Sequence, residues 1–421
     1  MTAGDISARV EACFRSHRAE LAAAITREFG TRRLELIEES VQDAMVRALT
    51  DWAAAGVPRN PVAWLYVTAR HQLIDRLRNR AEREERTDPL SLEAISGDSG
   101  TRVPSIDPLE DDVLKMTFVC CHPELPRRAQ IAMVLKTLCG LGNAEIGRVL
   151  LMREEAVKKA LTRARRRIAE LRIPFELPDQ AHVDERLDAL LQCLYAVFSE
   201  GHMTHGGETD IDAGLCERAM LLTELLTRAR GVADPGRVHA LASLMFLQAA
   251  RLPARVDANG KLVRLSDQDR SLWNAEWIRR GMTHLARSTS SERRSVYHLQ
   301  AAIAACHAVA PNYRSTDWVR ILRYYDDLLE MNPSVIVRIN RAVAIALTAG
   351  YEVALAELDA LSEEPGASEY SLLSAVRADF LSELGRRAEA QEWYERALAV
   401  TSGTAARIFL HAQLDACCVD R

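Results

Sequence analysis

Residues 143–171, NAEIGRVLLMREEAVKKALTRARRRIAEL, constrain the chain more than any other stretch. Asn143 is suited to cap a short helix over 144–150. Met152 and Arg153 make a tight corner before a second helix near Glu154, so the spacing predicts a helix-turn-helix. In the second helix Val157, Leu161, Ala164, Ile168 and Leu171 recur at spacings of four and three and form one apolar stripe. The remaining positions hold Lys158, Lys159, Thr162, Arg163, Arg165, Arg166 and Arg167, a dense positive surface on a helix that fits a DNA major groove. The competing reading is a merely solvated face. The charge balance favours DNA, because residues 127–172 carry a net +8 in a chain of net −5.

At 421 residues the chain should form two to four domains. Its N-terminus has charges where a signal peptide needs an apolar run, and no apolar stretch is long enough to cross a bilayer, so a cytoplasmic protein without membrane contact is expected. The nine cysteines show no CxxC spacing, which suits reduced buried thiols. Cys120, Cys121 and His122 lack a second paired ligand set, and no metal or cofactor is expected. Residues 181–421 hold 26 basic against 32 acidic side chains, so phosphate binding belongs to the front of the chain.

Residues 6–29 and 33–52 read as two amphipathic helices. The second has a stripe of Leu34, Ile37, Val41, Met45, Ala48 and Leu49, and an opposite face of Glu38, Glu39, Gln42, Asp43 and Arg47. Asn60 and Pro61 start a third helix running to about Arg83. A helical plot places Ala63, Val67, Ile74, Leu77 and Ala81 toward the core, with Trp64, Thr68, His71, Asp75 and Asn79 opposite. Trp64 on a polar face, followed by Arg76, Arg78, Arg80 and Arg83, would give melting DNA a stacking platform beside positive charge; packing of Trp64 on a neighbouring helix is the alternative. Residues 84–112 carry nine acidic and two basic side chains without a period and read as a linker. It is either a strand of negative charge for a basic channel on a partner or a solubilising tether. Residues 113–141 brace the helix-turn-helix through Ile131, Val134, Leu135 and Leu138.

Two small helical domains joined by an acidic tether resemble the bacterial extracytoplasmic-function (ECF) sigma factors. EESVQDAMVRAL resembles the family's polymerase-binding helix, and NPVAWLYVTARHQLIDRLRNR its promoter-melting, minus-10 reading helix. The segment from Asp111 through the helix-turn-helix resembles its minus-35 reading domain, and the resemblance spans residues 10–172. His71 stands where the family usually has Asn, and Lys159-Ala160 where Ser-Arg is common, so the promoter sequence is not carried over. The resemblance implies a non-enzymatic protein whose partners are core RNA polymerase and promoter DNA. It places Lys158, Lys159, Arg163 and Arg166 near the minus-35 element, Trp64, Arg70, His71, Arg76 and Arg78 near the minus-10 element, and Glu39, Gln42 and Asp43 on the polymerase.

From Val183 to Leu414 the pattern is helical, and it resembles the long tetratricopeptide-like extension of one subgroup of that family. Gly350 and Gly385 end similar helices thirty-five residues apart, near the ~34-residue period of such repeats. The expected fold is therefore all-α. The first sigma domain occupies residues 1–83, the linker 84–112, the helix-turn-helix domain 113–173 and the repeat-like domain 180–421. The last would regulate or assist the sigma domains and offer a surface to polymerase, to the sigma domains or to a peptide. Within it Arg255, Asp257, Asp267, Asp269 and Arg270 crowd one loop, either a regulatory ligand site or an ion-pair network. His202 and His205, on a Gly-rich stretch, read as exposed. Nothing there pairs a nucleophile with a base, so no enzyme is expected. The alternative function is a ligand-sensing helix-turn-helix regulator acting without replacing sigma.

Overall fold

A computed structural model describes residues 3–84, 106–178, 183–202, 212–229, 234–257, 261–364, 370–401 and 403–418. Among the described residues the regular structure is helical, and one isolated antiparallel bridge joins Val256 and Leu262. None of their helices is long and apolar enough to cross a membrane. The chain divides into two compact units. One comprises residues 1–197 with 228–233, the other 198–227 with 234–421.

The first unit begins with three long helices, α1 (Ala3–Phe29), α2 (Leu34–Ala55) and α3 (Pro61–Glu84). They enclose a core of Leu21, Ile25, Phe29, Ile37, Val41, Met45, Trp52, Leu65, Ala69 and Leu73. The stripe expected on α2 is buried except at its end, where Leu49 is 43 % exposed and Trp52 takes the inward place one turn on. On α3 the core face is Leu65, Tyr66, Ala69, Leu73 and Ile74, rotated by roughly one residue position (~100°) from the face the sequence plot chose. The plot gave small alanines the weight of a core, whereas the larger side chains Leu65, Tyr66 and Leu73 decide what is buried. His71, Asp75 and Asn79 remain exposed.

Helix α4 (Ile106–Cys120) begins within the stretch expected as a linker; of the rest of that stretch, residues 85–105 lie outside the described residues. Asp112 is buried and paired with Arg27 at 2.7 Å and Lys115 at 3.3 Å, which is why these last acidic positions are structured rather than tethering. Burial pushes the Asp112 carboxyl up, against the pull of Arg27 and Lys115. Helix α5 (Arg127–Met133) continues through a π-helical turn, Val134–Leu138, whose side chains Val134, Leu135 and Leu138 are buried with Ile131 as expected.

The helix-turn-helix is α6 (Asn143–Val149) and α7 (Glu154–Glu170). Its cap is Gly142 rather than Asn143, because the Glu145 carboxylate reaches back to accept the Gly142 N–H at 2.5 Å. In the corner, Leu151 adopts φ +51° and Met152 N–H donates to Gly147 O at 2.8 Å. A Cβ on Gly147 would lie 2.6 Å from Met152 O, so only glycine allows the two helices this approach. On α7 Val157, Leu161, Ala164 and Ile168 are buried, but Leu171 is 38 % exposed. Arg172 turns left-handed at φ +49° and Ile173 N–H bonds back to Ile168 O at 3.2 Å, so Ile173 fills the inward position expected of Leu171.

In the second unit α9 (Ala213–Arg228), α10 (Pro235–Ala249), α11 (Ala275–Ser288), α12 (Val296–Val309), α13 (Trp318–Met331), α14 (Val335–Ala349), α15 (Tyr351–Ser362), α16 (Ser371–Glu383), α17 (Arg387–Val400) and α18 (Thr404–Cys418) follow one another; α8 (Val183–His202) ends in it. From α12 onward each helix packs on the next, so this region is a stack of helices built from neighbour contacts. Gly350 and Gly385 both take positive φ at helix ends. At the second, Arg386 N–H closes the α16 terminus onto Leu381 O at 2.9 Å.

Candidate nucleic-acid interface

Helix α7 separates its residues sharply. Val157, Leu161, Ala164 and Ile168 face the core, while Lys158, Lys159, Arg163 and Arg166 are exposed. Lys158 is bracketed by Glu155 at 2.9 Å and Glu154 at 3.3 Å. These hydrogen bonds lower the Glu155 pKa and raise that of Lys158. Arg166 pairs with Glu170 at 2.7 Å, one turn along. Lys159 and Arg163 have no carboxylate partner among the described residues, so their charge is fully presented to solvent. A helix carrying such a face behind a tight turn presents phosphate-neutralising groups and hydrogen-bond donors together.

Arg165, read from sequence as part of that surface, turns the other way. Its guanidinium reaches Glu38 of α2 and lies 3.5 Å from Glu35. Glu38, expected on the solvated side of α2, is only 4 % exposed and also accepts from the Thr137 hydroxyl. Both departures have one cause: a carboxylate and a guanidinium that meet can leave water together, and neither could alone. A second link joins the same regions, from Thr31 Oγ1 to Ile173 O at 2.7 Å. No single-helix pattern signals either contact, because the partners stand 99 to 142 residues apart.

On α3 Trp64 is half-buried and meets Trp52 edge to face with ring centroids 5.6 Å apart, the packing alternative of the sequence reading. Arg70 is held by Glu28 at 2.7 Å and lies over the Phe29 ring; the hydrogen bond to Glu28 raises its pKa further. Tyr66 donates to the same Glu28 at 3.1 Å, and burial with that carboxylate pushes its hydroxyl up to about 12. His71 and Arg78 are exposed. Arg76 bridges Glu39 and Asp43, so two of the three acidic or amide positions expected to meet polymerase are joined to a position expected to meet DNA. Gln42 is exposed beside them.

Outside this region, Cys120 and Cys121 are buried thiols near Cys193, and desolvation raises their pKa values. The described residues contain no group of three or more His, Cys, Asp or Glu placed to hold a metal. His202 is not exposed as expected. It ends α8, stacks on Phe198 at 5.6 Å and receives Arg255 Nη1 at 2.7 Å; burial, then Arg255, lowers its pKa to about 3. His205 lies outside the described residues. The loop cluster sorts by charge: Asp257 accepts the Lys261 N–H, Asp267 the Ser266 hydroxyl and Asp269 the Ser271 N–H, while Arg270 turns to the backbone of α12.

The comparisons with known proteins divide along the same lines. Residues 13–83 match the model for Sigma-70 region 2 and residues 115–168 that for Sigma-70 region 4. Residues 186–289 match a family of unknown function, DUF6596. The chain is similar to the uncharacterized protein R00370 of Rhizobium meliloti (strain 1021), 38 % identical over 406 residues that make up 95 % of this chain and 94 % of that protein. It is also similar to the probable ECF RNA polymerase sigma factor SigI of two Mycobacterium tuberculosis strains, 27 % identical over 177 residues, covering 41 % of this chain and 59 % of theirs. The region 2 and region 4 matches, with the helical extension behind them, place the chain in the extracytoplasmic-function sigma factors, in the subgroup with a long helical C-terminal extension.

Proposed function

We propose that the protein is an alternative sigma factor that binds core RNA polymerase and directs initiation, with residues 1–83 and 113–173 as its two promoter-reading domains. The supporting observation is the free cationic face of α7, Lys159 and Arg163 above all, in a chain whose front half matches both sigma regions. In this reading α7 contacts the minus-35 element, with each good bidentate base contact worth roughly 1–3 kcal/mol. The exposed His71 and Arg78 face of α3 serves the minus-10 element. Gln42, with Glu39 and Asp43, docks on polymerase. Residues 180–421 regulate or assist.

Run-off transcription with core polymerase on genomic promoters, using the full chain and a chain ending after Val197, where the first unit's continuous stretch ends, tests both parts. RNA from defined start sites that requires the added protein supports the sigma role. Equal activity and promoter choice in the two chains would remove the role of the extension. Duplex binding without any dependence on core polymerase would favour the ligand-sensing regulator instead.

A further inference from the structure

We propose that the C-terminal unit contains a binding site for a small ligand carrying an oxyanion, a phosphate or a carboxylate, built from Arg251, Arg270, Trp273 and His307. Arg251 follows α10, and Arg270 begins the short 3₁₀ turn Arg270–Leu272. Their guanidinium carbons lie 5.6 and 4.5 Å from the centre of the Trp273 ring. Arg270 Nη1 donates to the carbonyls of His307 at 2.6 Å and Ala310 at 2.7 Å, which fixes the group at the end of α12. Its Nη2 is buried with no partner. Trp273 is only 6 % exposed, and its indole N–H is likewise buried without an acceptor, as is Nδ1 of His307.

Charge sets these residues apart from the rest of the unit. Among the described residues no carboxylate lies within ion-pair reach of Arg251 or Arg270, and the one hydrogen bond of Arg251 runs to Gln268 Oε1 at 3.4 Å. Elsewhere in this unit half-buried arginines meet acids: Arg264 with Asp379, Arg280 with Glu224, Arg377 with Asp359, and Arg341 with both Asp326 and Glu357. A structural ion-pair network would have continued that pattern. Instead burial and the neighbouring Arg255 and Arg270 lower the Arg251 pKa to about 10, and burial with Arg251 and Arg270 holds His307 neutral with a pKa lowered to about 4. Convergent positive groups with orphan N–H donors in a dry setting lack an anion that accepts hydrogen bonds. The donors are buried, so a small molecule reaches them and a macromolecular surface does not. The half-exposed Arg270 gives the site its edge toward solvent. Use of this ligand as an input to transcription rests on the sigma-factor reading, whereas the binding itself does not.

Thermal unfolding of the full chain, without polymerase, provides the test. Inorganic phosphate and malonate are titrated separately against sodium chloride at matched ionic strength. A saturable rise in Tm with phosphate, malonate or both, beyond the chloride control, is expected, and the responding probe identifies the source of the oxyanion. Arg270→Lys should weaken the response at least tenfold. Trp273→Phe, which keeps a ring but removes the N–H, should weaken it about fivefold and serves if the lysine variant does not fold. The proposal is overturned if neither probe exceeds chloride, or if the folded variants respond as the native chain does.

Discussion

On α7, Lys159 and Arg163 carry their charge into solvent, whereas in the C-terminal unit Arg270, Arg280 and Arg377 lie 4.3–4.5 Å from the centres of Trp273, Phe246 and Trp393. The residue type is shared and its use is opposite. In the front unit the positive groups are arranged on the outside of a helix whose apolar stripe has satisfied the core. In the back unit aromatic faces, backbone carbonyls and acidic side chains engage the arginines inside the helical stack. A count of cations therefore does not locate a phosphate-binding surface. What the cations face does.

The largest effect expected from this contrast is acid sensitivity confined to the second unit. His202 and His307 have folded pKa values lowered to about 3 and about 4 from 6.5, both by burial first. A depressed folded pKa gives stability that is present above 6.5 and lost as pH falls through that window toward 4. Each group removes up to about 1.4 kcal/mol per pH unit. His17 in the first unit is raised, chiefly by its hydrogen bond to Glu20, so its contribution is present below 6.5 and fades as pH rises. Hydrogen exchange on the full chain at pH 7 and pH 5 should show protection falling at the α8 terminus around His202 and in helices α9 to α12, and not in α1 to α3. Equal loss in both would break the comparison.

The next effect lies at a place where the front unit behaves like the back, the pair of Arg165 with Glu38. Arg165→Ala leaves Glu38 buried with only the Thr137 hydroxyl, and unfolding in denaturant should show a loss of about 3 kcal/mol. A change within 0.5 kcal/mol would mean that the pair is solvated in solution. Smaller again is Arg163→Ala, expected to lower the promoter affinity of the polymerase complex about tenfold with stability unchanged, while Arg396→Ala on the back unit leaves affinity as it was. Matching losses in the two variants would show that position on α7 carries no special role. The smallest effect belongs to Lys158→Ala. Its charge is already paired with Glu154 and Glu155, so the slope of log affinity against log salt should fall by less than the ~0.9 expected of a full phosphate contact. A full unit would show that the pair opens on DNA.

Much of the front was legible because periodicity records burial locally. Four of the five stripe residues on α7 and five of the six on α2 are inside, and both misplaced residues, Leu171 and Leu49, stand at the end of a run where the next inward residue replaces them. Face assignment on α3 failed because side-chain size, not the helical angle alone, selects the buried side. The loop cluster of residues 255–270 is legible in the sequence by its charges but not by its partners. Its acids turn to local serines and backbone, whereas Arg255 meets His202 and Arg270 the carbonyl of His307, partners 53 and 37 residues away that no local pattern reveals.

By itself the sequence determined the all-helical architecture, the helix-turn-helix and the concentration of positive charge upon it, since each follows from spacings of three and four residues and from composition within a short window. Only the tertiary structure decided that Arg165 and Glu38 leave the surface together, that Arg76 is shared by Glu39 and Asp43, and that Arg251 and Arg270 converge without a counter-charge. The physical reason is that a charge acquires its meaning from what surrounds it within a few ångströms, and those neighbours arrive from distant parts of the chain.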